Sequence, residues 1–363
     1  MKICHLTTVH PWNDVRIFEK ECVSAAAAGF EVYLVAMNAP EGIHQGVQIV
    51  SISAEKSKRF SRMWKSVSLV YDRAIALNAD VYHFHDPELL RISGKLLKAG
   101  KKVIYDSHED LPRQILDKTW IKPILRSTLS RVIEWYENRK ASKLTAIVAA
   151  TPHIQERFLK VNPNVVNVNN FPVLEVIPYQ PDWFKRNKTL CYVGGITITR
   201  GIRELVESLP LHGYSLELAG NFIPENLRES IQKMDGWNLV LESGFVNRIG
   251  IAEILGRTQI GMVTLHPTKA YIDSLPIKLF EYMAAGLPVI TSDFPLWRGI
   301  IEKYKCGICV DPQKPEAIAK AVKYLMEHPT EAQIMGENGR KASLEFYNWS
   351  QEALKLIGLY KSL

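Results

Sequence analysis

A strand-then-helix alternation that runs twice, with a proline-rich break between the runs, constrains this chain more than any other feature. Short β-branched apolar runs alternate with stretches of helical period, the pattern of parallel α/β sheets. In the first run, strands are expected at residues 2–8, 31–36, 47–52, 81–84, 103–106 and 146–149. Helices are expected at 16–28, stopped by Gly29, and from about Phe60 to Leu77. Three prolines within 169–181 mark a linker. The alternation then restarts, with strands at 189–193, 215–219, 239–241, 260–264, 288–291 and 308–310 and a helix at 202–208. A long helical stretch, 316–363, is interrupted at His328-Pro329. The expected fold class is α/β: two Rossmann-like, doubly wound parallel-sheet domains, 1–178 and 179–349, with 350–363 crossing back to the first. Such a pair is expected to hold a ligand in the cleft between the domains, beside the C-terminal strand ends.

Composition narrows the function classes. An apolar fraction of 47% and a charged fraction of 23% describe an ordinary globular chain. The net charge of +7 is uneven, with six of the excess cations falling before Tyr179. An electropositive first half favours anionic partners such as phosphorylated substrates or acidic headgroups. The basic, apolar-studded segments 55–65 and 118–135 are candidates for an anionic membrane surface. No apolar run reaches the ~18 residues of a membrane span, and the first residues read as a strand, not a signal peptide. Five scattered cysteines fit a reducing compartment, so a cytoplasmic, peripheral location is expected. Cys306 and Cys309 form a lone C-x-x-C that reads as packing. The chain has no G-x-G-x-x-G loop, no phosphate loop and no D-x-D pair, and no zinc or stacking-aromatic pattern of a nucleic-acid reader.

The segment 273–290 carries the most chemistry. A polar, proline-broken loop from Asp273 opens a short helix, Gly286 sits where that helix should end, and a β-branched strand follows. A helix N-terminus carries free N–H groups and about half a positive charge, a ready phosphate site. Glu281 lies one turn in, within reach of ligand hydroxyls. Gly194 and Gly195 follow the first strand of the second half, and glycines there let a backbone approach a ligand closely. Arg200 adds a fixed positive charge. In the first half, His85 and His108 follow short strands, and His10, Asp14 and Arg16 lie in the first strand-to-helix turn. Helix capping by Asn13 or Asp14 explains that turn equally well.

Together these motifs resemble a retaining family-4 glycosyltransferase of the GT-B fold, in a subgroup that builds bacterial surface polysaccharides. Asp273 and Glu281 stand for its E-x7-E element, and segments 14–20, 105–112, 192–201 and 278–290 carry the likeness. The resemblance implies that the second domain binds a nucleotide-diphosphate sugar, with Glu281 on the ribose. Asp273, Ser274 and Leu275 are then near the transferred sugar and diphosphate, Arg200 on a phosphate, and Val246 in the segment meeting the base. It also implies that His108 lies near donor sugar and acceptor, with His10, Asp14, Arg16 and His85 on the acceptor side. His108, Arg200 and Asp273 are the implied catalytic residues. The implied acceptor is a saccharide or polyprenyl-diphosphate-linked saccharide, and neither metal nor cofactor is expected.

The chain departs from the pattern in three places. Gly195 stands where an arginine is common, leaving Lys278 or Arg248 to replace that cation. Asp273 is shorter than the usual Glu, and Pro276 removes one N–H from the helix terminus. A sugar-nucleotide epimerase or hydrolase, or a catalytically silent GT-B subunit, are the rival readings.

Overall fold

The computed structural model describes residues 1–53, 59–118 and 121–363, with the backbone alone given for 59–65. The chain divides into two compact units, Met1–Asn170 with Ser350–Leu363, and Phe171–Trp349. The division falls ahead of the expected 178/179 boundary. Phe171 already belongs to the second core, with its ring 4.6 Å from Phe280 and 5.2 Å from Tyr347. The prolines that follow punctuate the entry into that unit and do not lie between units.

The first unit is built on eight strands: β1 (Lys2–Leu6), β2 (Glu31–Met37), β3 (Gly42–His44), β4 (Val47–Ile52), β5 (Val81–Phe84), β6 (Lys102–Ser107), β7 (Ala146–Ala149) and β8 (Val165–Asn167). They run in the order β3-β4-β2-β1-β5-β6-β7-β8, all parallel except β3, which pairs antiparallel with β4. Strand direction through the sequence reverses between β1 and β5, and ligands of doubly wound sheets bind at such a switch point.

Side-chain alternation along these strands sorts the two faces. Cys4, Leu6, Tyr82, Phe84 and Tyr105 enter an apolar core. His5 is the Cα partner of His83, and His85 follows two residues on, so all three point to the other face. The helix Val15–Cys22 is wound in i→i+5 fashion and buries Arg16, Lys20 and Glu21. The final helix, Trp349–Ser362, brings Tyr360 into the same layer, where its hydroxyl lies 2.7 Å from His83 Nδ1.

The second unit has β9 (Thr189–Val193), β10 (Ser215–Ala219), β11 (Val240–Gly244), β12 (Ile260–Val263), β13 (Val289–Ser292) and β14 (Gly307–Val310). All are parallel, in the order β11-β10-β9-β12-β13-β14, with the switch point between β9 and β12. The helix Ile277–Ala284 ends as its sequence demands. Gly286 takes φ +74° and donates to Met283 O, while Leu287 N–H donates to Tyr282 O, a Schellman closure. The 316–363 stretch is three helices, Pro315–Glu327, Pro329–Glu345 and Trp349–Ser362, with a second break beyond the one at His328-Pro329. Cys306 is buried and Cys309 lies 3.6 Å from the Thr291 hydroxyl, both as free thiols. Among the described residues, no helix is long and apolar enough to cross a membrane.

Candidate functional site

Two groups of polar side chains converge, one at each switch point. In the second unit, β9 runs into Gly194, whose N–H donates to Ala219 O. A tight turn at Ile198–Arg200 leads to Gly201 at φ +75°. A Cβ there would fall 1.9 Å from Thr264 O, so only glycine lets this loop lie against the end of β12. The Arg200 guanidinium folds back on the turn and donates to Gly195 O at 3.1 Å, the same oxygen that accepts from Tyr192 Oη at 2.9 Å. A Cβ on Gly195 would sit 3.0 Å from that guanidinium. The arginine missing at 195 and the arginine present at 200 therefore compete for one space.

Lys278, in the first turn of the Ile277–Ala284 helix, fills the other side of the loop. Its side chain is 8% exposed, its Nζ is 3.5 Å from the Tyr192 ring centroid, and Nζ has no hydrogen-bond acceptor. Nζ also lies 3.7 Å from where a Gly194 Cβ would be. Burial, reinforced by the Arg200 charge, holds its pKa well below the usual lysine range, against a smaller opposing pull from Glu281. A buried ammonium without an acceptor is costly, and an anion at this position would complete it. Glu281 is half-buried on the same helix, whereas Asp273 is exposed. The Ser274 N–H already donates to Tyr271 O, its hydroxyl donates to the same oxygen, and its carbonyl accepts from Trp297 Nε1 at 2.7 Å. Ser274 thus anchors the loop ahead of Leu275 and the first helical turn. Val246 is partly buried against the second core, while neighbouring Phe245 is exposed. Arg248 opens the helix Arg248–Arg257.

In the first unit, Asp14 caps the Val15–Cys22 helix by accepting from the Arg16 and Ile17 amides. Burial alone would raise its pKa, but His10 and the Ile17 N–H outweigh it and the net shift is downward. His10 lies 3.3 Å from Asp86 Oδ1 and 3.7 Å from Asp14, and its hydrogen bond to Asp14 raises its own pKa. Asp86 in turn accepts from the Thr7 hydroxyl and the Thr8 amide, fixing the turn after β1.

Arg16, expected on the acceptor side, is buried and grips Asp106 through two hydrogen bonds of 3.0 and 2.9 Å. It acts within the fold, not at a surface. His85 is buried as well, with Nε2 2.8 Å from His5 Nδ1, and burial pushes its pKa down to about 4. His108, unlike Arg16 and His85, reaches solvent. Its Nε2 is 2.9 Å from Asp106 Oδ2 and 3.2 Å from His85 Nδ1, and its side chain is 16% exposed. The structure therefore brings His10, Asp14, Arg16, His85 and His108 together, and adds Asp106, Glu21, His5 and His83. The H-x-H repeat at 83–85 signals that one strand face is polar. No local pattern points to Glu21.

Two family models account for most of the chain. The Glycosyltransferase Family 4 model matches residues 22–170, and the Glycosyl transferases group 1 model matches residues 175–342. An uncharacterized glycosyltransferase of Methanocaldococcus jannaschii is 25% identical over 179 residues, 48% of this chain and 45% of that relative's own length. The phosphatidyl-myo-inositol mannosyltransferase of Mycobacterium leprae is 23% identical over 290 residues, 78% of this chain and 74% of the relative. Among solved structures, sucrose-phosphate synthase of Thermosynechococcus elongatus superposes with a TM-score of 0.81 at 17% identity, covering 99% and 98% of the two chains. HepE of Anabaena, solved in complex with UDP, superposes with a TM-score of 0.75 at 13% identity and full coverage of both.

Proposed function

The chain belongs to family 4 of the glycosyltransferases and has the GT-B fold, and from that premise we propose a retaining sugar transfer that needs no divalent ion at the diphosphate. The donor is a nucleotide-diphosphate sugar, whose nucleotide part is of the kind represented by the UDP in HepE. The acceptor is a saccharide or a lipid-linked saccharide in surface-polysaccharide assembly. The observation that carries this reading is the unpaired, buried Lys278 ammonium beside Arg200 and the Gly194 turn.

Transfer requires the diphosphate to leave as negative charge develops on its oxygens. Arg200, Lys278 and the first turn of the Ile277–Ala284 helix supply preorganised positive charge for it. Lys278 takes the place of the cation that Gly195 lacks. Glu281 accepts from the ribose hydroxyls, Asp273 and Leu275 lie toward the transferred sugar, and Val246 toward the base. The acceptor attacks from the leaving-group face, and a donor phosphate oxygen takes its proton. His108, oriented by Asp106, lies on the acceptor side with His10, whose ring is 5.3 Å away.

A membrane-borne acceptor is favoured by the helix Pro123–Ala141, which exposes Ile124, Val132 and Trp135 among Lys122, Arg126 and Arg131. The other basic segment, 55–65, lies largely outside the described residues.

A thermal-shift screen against UDP, GDP, ADP and their sugars tests the donor class. One nucleotide at ~100 times its dissociation constant should stabilise the protein by ~2.7 kcal/mol. If none raises the melting temperature, the donor site is misassigned.

Affinity for that nucleotide should also depend on pH. The diphosphate favours charged Lys278, so the bound pKa lies above the depressed free value. The gain is complete below the free value and is lost as pH rises toward the bound one. Titrations from about pH 7 upward, where phosphate is already ionised, should show affinity falling by up to ~10-fold per pH unit, with the slope abolished in Lys278→Met. An equal slope in the variant would assign the effect to another group.

A further inference from the structure

Four side chains of the first unit's buried layer have the composition and spacing of a divalent-ion site. His5, Glu21, His83 and His85 each present one ligating atom, and these atoms lie within 4.8 Å of one another. All four residues are buried. Zinc-type ions take N and O ligands at about 2.0–2.2 Å, which places neighbouring ligand atoms about 3.4 Å apart in a tetrahedron. Reaching that spacing requires side-chain shifts on the order of 1 Å and replaces the 2.8 Å hydrogen bond between His5 Nδ1 and His85 Nε2.

Two observations independent of the spacing point to a ligand. His83 Nε2 and both Glu21 carboxylate oxygens are buried without a hydrogen-bond partner. Arg16 Nε does approach Glu21 Oε1 to 3.1 Å, but the two hydrogen bonds of that guanidinium go to Asp106. The guanidinium is thus shared between two buried carboxylates, one more negative charge than it can balance. The other ring nitrogen of His83 lies 2.7 Å from Tyr360 Oη, the outer hydrogen bond that orients metal-binding imidazoles.

We propose that His5, Glu21, His83 and His85 bind one divalent transition ion of the zinc class, which ties β1 and β5 to the Val15–Cys22 helix. Three imidazoles and one carboxylate suit zinc and its neighbours, not magnesium or calcium. The alternative grouping of Glu21, His85, Asp106 and His108 shares two of these ligands and would draw Asp106 away from Arg16. The sequence led to the expectation of neither metal nor cofactor, and this proposal departs from it. Searches for adjacent ligand motifs miss it because its ligands come from three separate elements.

The test uses the full chain, freed of any affinity tag and dialysed against Zn(II) or Co(II). About one equivalent should remain per chain, and the cobalt form should show the strong visible bands of tetrahedral coordination without thiolate charge transfer. Glu21→Gln and His83→Gln should each weaken binding by about 100-fold or more, whereas His108→Ala, which removes only an outer hydrogen bond to His85, should weaken it clearly less. Wild-type protein that retains no ion, or gives only the weak bands of octahedral cobalt, overturns the proposal. So do folded variants that bind as tightly as wild type, and should both variants fail to fold, the wild-type spectrum decides alone. Binding of UDP, GDP and ADP measured on the same samples keeps the outcomes apart: an ion retained with no nucleotide bound sinks the donor-site reading and leaves this one standing.

Discussion

Replacing Lys278 by methionine should give a protein that melts no lower than wild type yet binds nucleotide far more weakly. The two readouts move apart because the ammonium is buried without an acceptor. An uncompensated charge costs stability, and an apolar stem of similar length removes that cost while keeping the packing against Tyr192. A diphosphate, in contrast, loses one of its two side-chain cations. Arg200→Ala should act on the reaction itself, lowering kcat/KM by on the order of 100-fold, equivalent to ~3 kcal/mol of transition-state stabilisation. Thermal melts and steady-state rates on both variants check this. Turnover unchanged in Arg200→Ala would remove the electrostatic account of the leaving group. A lower melting temperature in Lys278→Met, with unchanged UDP affinity, would make that lysine structural.

Arg16→Met should do the opposite, with a large loss of stability. Arg16 donates two hydrogen bonds to Asp106 in the buried layer. Burial alone would raise the Asp106 pKa, but Arg16, with His108 and His85, holds it well below the usual carboxylate range. Breaking a buried pair by removing one partner typically costs 3–5 kcal/mol, because the other charge is left stranded. For a unit of this size, that is a fall on the order of 10 °C in melting temperature. Denaturant unfolding of the two proteins measures it. A variant within about 0.5 kcal/mol of wild type would mean that Asp106 finds another partner or takes up a proton at little cost.

These two arginines also show what a linear reading can reach. Arg200 was legible because its chemistry is local: a glycine turn after a strand, followed by a helix, already specifies a loop with a cation at its edge. Arg16 was legible only as a polar residue near the right turn. Its partner Asp106 lies on β6, and nothing short of the strand order shows that the two meet. Strand positions were read well where β-branched runs are bounded by turn residues, as at β4, β5, β7 and β9. The edge strand β3 escaped because three residues carry no period. The break between the last two helices escaped because neither proline nor glycine marks residues 346–348. Nothing in the sequence singles out Glu21, which is buried on a helix wound i→i+5.

Tyr360, hydrogen-bonded to His83, belongs to a segment that the ribosome makes only after the whole of the second unit. The first unit cannot complete its histidine layer until that segment has been made, so the second unit is free to reach its native state ahead of it.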